Sequence, residues 1–210
     1  MQWTRTLMRG LVFAVFVGLY VTSGMAGTCV QYKRNPAVYI NTPDWTKVVV
    51  QPKKEMNLWH GNVVATMVDS YDVVADINPV EGGFCVGVKS VSAEIGYSNF
   101  TVQIDMRHKP DTCQYDAVLA HEDKHIKTYL SVIDDLKADL QHSLYLAVDS
   151  VMPVFVKSRA EVSSVVDNMN NRIQNHPDLV VVKHRINAEQ EIRNKKIDQS
   201  EDNKLLKKCK

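Results

Sequence analysis

The segment His121-Glu122-Asp123-Lys124-His125 carries the clearest chemistry in this chain. Two histidines at i and i+4 lie about one helical turn apart on one face, so their ring nitrogens can meet at a single ion. Zinc takes imidazole nitrogens at roughly 2.0–2.1 Å in a tetrahedral arrangement, and a catalytic zinc leaves one position to water. The ion lowers the pKa of that water to about 7, and the intervening Glu122 is placed to take its proton. That is the equipment of metal-assisted peptide hydrolysis. A cysteine metal site is not expected, because Cys29, Cys85, Cys113 and Cys209 include no closely spaced pair.

Spacing alone leaves the third donor open. No Gly-x-x-His follows the motif. Asp134 and Asp135 are too far along the same helix to reach back, and His142 would stand about 25 Å up its axis. If the chain folds back at Pro153, residues near 181–185 return opposite the motif and bring His184 into range. Glu189 and Asp198 follow in the next segment. Tyr129, one turn past His125, is either an oxyanion donor or part of an apolar stripe.

The run Cys113-Gln114-Tyr115-Asp116-Ala117-Val118-Leu119-Ala120 leads into this motif. Through His125 it resembles a family of exported bacterial proteins classed as zinc-dependent proteases of uncharacterised function, in which Cys-x-Tyr-x-Ala precedes H-E-x-x-H. The resemblance is specific over these 13 residues. It implies a zincin-like site with His121 and His125 as metal ligands and Glu122 as general base. It also places an acid at Asp198, which is favoured as third ligand on that ground. Related sequences carry Tyr-Asp-x-x-Thr-x-His-Gly near the C-terminus. Here the region from Ile197 to Lys204 reads IDQSEDNK, without that histidine.

A helix must carry the motif. Asp111 is the expected N-cap, with Gln114 as the return partner of a capping box. No Gly or Pro follows before about Ser150, and Tyr115, Leu119, Ile126, Leu130, Ile133, Leu140 and Leu144 keep a helical spacing. At roughly 100° per residue, His121, His125 and Glu122 fall on the border of that stripe. A second helix is expected from Phe155 to about Asn175, broken at His176-Pro177. A short apolar run, Leu179–Val182, and a polar helix from about Asn187 should follow.

The front half reads as strand. Val91, Ala93, Ile95 and Tyr97 alternate with polar residues, and so do Phe100, Val102, Ile104 and Met106. Ser98-Asn99 between them is the expected hairpin turn. The strand from Phe100 to Arg107 could offer its edge to an extended peptide. Ala37–Asn41, Trp45–Val50 and Asn62–Asp76 are further Val-rich strands, and Gly82-Gly83 marks a turn.

The expected fold is α+β: an N-terminal antiparallel β-sheet followed by long helices, one of them a zincin-like motif helix. Residues 1–26 have the order of a secretory signal peptide: Arg5 and Arg9, an apolar run from Leu11 to Val21, then small residues up to Ala26. The apolar run is short for a bilayer, which needs about 20 residues. Residues 27–210 then form a single domain, β-rich over 28–108 and α-rich over 111–210. With 210 residues, 45% of them hydrophobic, the chain can bury a real core. Its 25 basic and 24 acidic residues argue against nucleic acid as a partner. An even count of four cysteines in an exported chain suggests two disulfides, expected as Cys85–Cys113 and Cys29–Cys209.

The function expected is an exported zinc metallopeptidase, periplasmic or secreted, acting on a peptide or protein substrate with no membrane contact after leader cleavage. The alternative is a non-catalytic, disulfide-stabilised binding or structural module of the cell envelope.

Overall fold

In a computed structural model of the chain, residues 29–56, 60–201 and 207–209 are described. The expected leader, residues 1–26, lies outside them. A single long strand organises the rest. Strands β1 (Ala37–Asn41), β2 (Thr46–Val50), β3 (Gly61–Val80) and β4 (Gly83–Ile104) are followed by helix α1 (Cys113–Asp149). The chain then forms β5 (Val154–Val156), α2 (Val162–Gln174) and α3 (Pro177–Glu201). β3 runs antiparallel to β4 along its whole length, joined by a turn at Glu81-Gly82 in which Gly82 takes φ 78°. The other edge of β4 is shared end to end by β5, antiparallel, and by β1 and β2, both parallel. The sheet is therefore mixed rather than antiparallel, and β5 places a strand after the first helix.

No hairpin forms at Ser98-Asn99. The inward residues of β4 are Val86 and Val88, then Val91, Ala93, Ile95 and Tyr97, then Phe100, Val102 and Ile104, all buried. The phase of the alternation flips twice. Both flips coincide with register shifts against β3, where Lys89 and Ser98 have no partner. An extra residue in one strand flips every later side chain to the other face, so a bulge keeps one face apolar along a strand whose sequence changes phase. The same phase change had signalled a turn.

α1 returns antiparallel to β4 and packs on this inward face. Val118, Ile126, Ile133, Leu136, Leu140, Leu144 and Ala147 fill the layer between them. Its N-cap is Thr112, whose hydroxyl accepts from Tyr115 N at 3.3 Å; Asp111 instead sits in the left-handed region at φ 61°. The helix expected from Phe155 begins as β5, because Val154–Val156 pairs with Phe84–Val86 before α2 starts. The apolar run 179–182 and the polar segment after Asn187 form one helix, α3. Leu179, Val182 and Ile186 bury its first half.

The disulfides are Cys29–Cys85 and Cys113–Cys209, not the expected pairs. Because β4 does not fold back, Cys85 and the start of α1 lie near its opposite ends, about 60 Å apart along the strand at ~3.3 Å per residue. Two disulfides belong to an oxidising compartment. Among the described residues no helix is long and apolar enough to cross a membrane.

Candidate metal centre

The motif occupies the third and fourth turns of α1, where the helix passes the C-terminal end of β4. His121, Glu122 and His125 are buried, 5%, 4% and 9% exposed, inside the packed face rather than on its border. Two neighbours cover them. The start of β3 presses on Glu122: a Cβ at Gly61 would collide with the Glu122 carboxylate and approach Val118 Cγ1 to 2.7 Å. Only glycine permits that approach. On the other flank α3 runs antiparallel to α1. Arg185 pairs with Asp139 and Arg193 with Asp135, each at 2.6 Å, and these contacts mark the register of the two helices.

That register brings residues 194–198 opposite the motif, not 181–185. The chain turns back at His176-Pro177, after β5 and α2, rather than at Pro153. Asp198 Oδ1 lies 3.0 Å from His125 Nε2 and 3.3 Å from His121 Nε2, and the two imidazole nitrogens are 3.2 Å apart. His184 is exposed elsewhere on α3, and Glu189 is paired with Arg193 at 3.3 Å. Asp134 and His142 are exposed farther along α1.

The protonation pattern gives this triangle its meaning. Asn194 Oδ1 lies 2.9 Å from His125 Nδ1 and accepts its proton. In the neutral ring, Nε2 then presents a lone pair to the Asp198 carboxylate and to His121. A lone pair on His125 Nε2 facing a carboxylate oxygen 3.0 Å away is repelled unless a cation or a shared proton lies between them. The edges of 3.0, 3.2 and 3.3 Å also match the donor spacing of about 3.3 Å required by tetrahedral ligands roughly 2.0–2.1 Å from zinc. The group His121, His125 and Asp198 can therefore hold a metal ion. Asn194 supplies the outer hydrogen bond that metal-bound histidines usually make.

Tyr129 serves the apolar layer. Its ring lies 5.1 Å from Tyr97 and 6.0 Å from Phe100. It also lines an open cleft of about 460 Å³ along the α1–α3 groove, whose wall includes Asn194 and Asp198. Burial, and then the Asp198 charge, push its phenol pKa up, so it stays protonated. The Tyr97 hydroxyl donates to Gln190 Oε1 at 2.7 Å beneath that wall. The β4 segment expected to bind an extended peptide has both edges occupied, by β2 and β3. β2 and β3 are the outer strands beside the motif, and Lys47 Nζ of β2 lies 2.9 Å from Asp123 Oδ1.

Sequence reasoning missed Asn194 and Gly61. Asn194 had a signal: it lies four residues before Asp198, on the same helix face. Gly61 had none, because its contact joins segments 61 residues apart. Comparisons with known protein families, curated proteins and solved structures find no match to this chain.

Proposed function

We propose that the chain is an exported zinc metallopeptidase of zincin-like arrangement, with His121, His125 and Asp198 holding the metal and Glu122 as general base. The convergence of two helix-borne imidazoles and a carboxylate from α3 on one point, with Glu122 buried in the same turn, carries this reading. Two histidines and one carboxylate satisfy three positions of a tetrahedral ion and leave a fourth, the composition of a catalytic site rather than a closed structural one. Bound zinc supplies Lewis acidity, polarising a carbonyl and bringing the acidity of water close to neutrality. The chain's own residues supply the rest. Glu122, held against Gly61, takes and returns a proton. Asn194 keeps the His125 Nδ1 proton in place, so that Nε2 remains a donor. The protonated Tyr129 phenol stands on the wall of the cleft that also holds Asp198.

The test is made on the oxidised chain lacking residues 1–26. Elemental analysis should find one zinc per chain, and a degenerate peptide mixture should be cleaved. Glu122→Gln should keep the zinc and lose at least 10²-fold in hydrolysis, the scale of general-base catalysis. His121→Ala should lose the metal. Iron in place of zinc, or equal zinc in wild type and His121→Ala, overturns the assignment. Stoichiometric zinc without cleavage of any peptide favours the non-catalytic envelope module.

A further inference from the structure

The third donor sits on the least anchored part of its helix. Leu179, Val182, Ile186 and Gln190 are the buried residues of α3, and no described α3 residue beyond Gln190 is buried. From there to Asp198 the ties to α1 include the Arg193–Asp135 ion pair at 2.6 Å, the Asn194–His125 hydrogen bond at 2.9 Å and the triangle itself. An exposed ion pair and a single hydrogen bond each add little net stability, because water competes for the same groups. Such ties are weak against the fraying of a helix end. Beyond Asp198, however, the chain is fastened covalently. Cys209 is joined to Cys113 with their Cα atoms 5.5 Å apart, and Gln114 Nε2 donates to Cys209 O at 3.4 Å. Cys113 is the first residue of α1, on the helix that carries both histidines. One covalent bond thus tethers the segment bearing Asp198 to the base of the helix bearing His121 and His125.

We propose that the Cys113–Cys209 disulfide is the positioning element of the metal site, so that cation binding and oxidation of this pair are thermodynamically linked. The inference rests on the metal-site reading above. In the reduced chain the end of α3 leaves α1, Asp198 departs, and the cation keeps two imidazoles. Reduction takes two electrons and two protons from a thiol reductant: the S–S bond breaks, two cysteine thiols form, and two glutathione molecules become one glutathione disulfide. Linkage is reciprocal, so a cation that prefers the oxidised chain makes the disulfide harder to reduce by the same factor. The chain would then capture its metal only after oxidation. Cys29–Cys85 lies toward the far end of β4 and has no such coupling.

Zinc affinity, measured by competition with a chromophoric chelator on the chain lacking residues 1–26, reads this directly. Cys113→Ser/Cys209→Ser should bind zinc roughly 10–100-fold more weakly, the scale seen when support for a ligand is lost. Cys29→Ser/Cys85→Ser should bind as wild type does. In an Asp198→Ala background, removing Cys113–Cys209 should cost nothing further, because the effect passes through Asp198. An equal loss in that background, or none in wild type, overturns the proposal. Wild type supplies a second arm that requires no variant to fold. In a glutathione buffer with zinc clamped by a metal buffer, alkylation and mass spectrometry should find fewer reduced Cys113 and Cys209 thiols as free zinc rises. A reduced fraction independent of zinc sinks the coupling but leaves the metal site standing. A wild-type chain that binds no zinc sinks both.

Discussion

At the scale of single residues, one hydrogen bond decides whether His125 can act as a donor. Asn194 accepts the Nδ1 proton, and neutral imidazole carries its one proton on one nitrogen only. Asn194→Leu removes the acceptor and frees the ring to hold its proton on Nε2, against Asp198. Zinc affinity should fall roughly 10–100-fold, and nitrogen NMR should report loss of the Nδ1-protonated tautomer. Asn194→Asp keeps an acceptor and should bind zinc at least as tightly as wild type. Equal affinity in Asn194→Leu and wild type would remove the role. The two histidines and Glu122 were legible in the sequence because a helix fixes residues i and i+4 by local geometry alone. Asp198 was one of three candidates by position, with His184 and Glu189, and was favoured only through resemblance; Asn194 was not reached at all. Their contacts depend on how α3 lies along α1, which no local pattern encodes.

At the scale of elements, the bulge at Ser98 aligns two parts of β4 that would otherwise bury opposite faces. Tyr97 and Phe100 both point inward only because Ser98 has no partner on β3. Deleting Ser98 closes the bulge and turns Phe100, Val102 and Ile104 outward. Each fully buried side chain of this kind contributes about 1.5–3 kcal/mol, together about 5–9 kcal/mol. That rivals the whole stability of an ordinary domain, about 5–15 kcal/mol. The deletion should abolish cooperative thermal unfolding in circular dichroism. Ser98→Ala keeps the extra residue and should stay within about 0.5 kcal/mol of wild type. A deletion variant that melts like wild type would show the register shift to be dispensable. Strand content was legible from the period-2 pattern, whereas continuity was not. A phase flip reads the same whether the chain turns back or bulges, and only pairing with β3 along its whole length separates the two.

At the scale of the whole molecule, that misread turn accounts for the misassigned disulfides, since a hairpin would have brought Cys113 back toward Cys85. The unbroken β4 instead separates two ends, each closed by its own disulfide. The end near the candidate metal site has a further latch. His60 Nδ1 lies 2.9 Å from His108 Nε2, next to Gly61 and therefore next to Glu122. Asp105, fully buried, accepts from Arg107 Nε at 2.8 Å, from Arg107 N at 2.8 Å and from Met56 N. Burial and the facing His60 hold the His108 pKa below the ordinary imidazole value, with Asp105 and Arg107 as its other charged neighbours. Arg107 and the backbone donors hold the Asp105 carboxyl well below the usual carboxylate range. Above pH about 6.5, His108 is neutral in both folded and unfolded chains. As the pH falls through that value, the unfolded chain takes up a proton that the folded chain refuses, and stability drops. Asp105 contributes in full above pH about 4, and its contribution is lost as acid protonates the unfolded carboxylate and then the folded one. Urea midpoints should therefore decline in two windows, one below pH about 6.5 and one below about 4. His108→Gln should flatten the first decline and Asp105→Asn the second. If either variant keeps the wild-type slope in its own window, that group is not the one whose proton uptake loosens the end of the sheet next to Glu122.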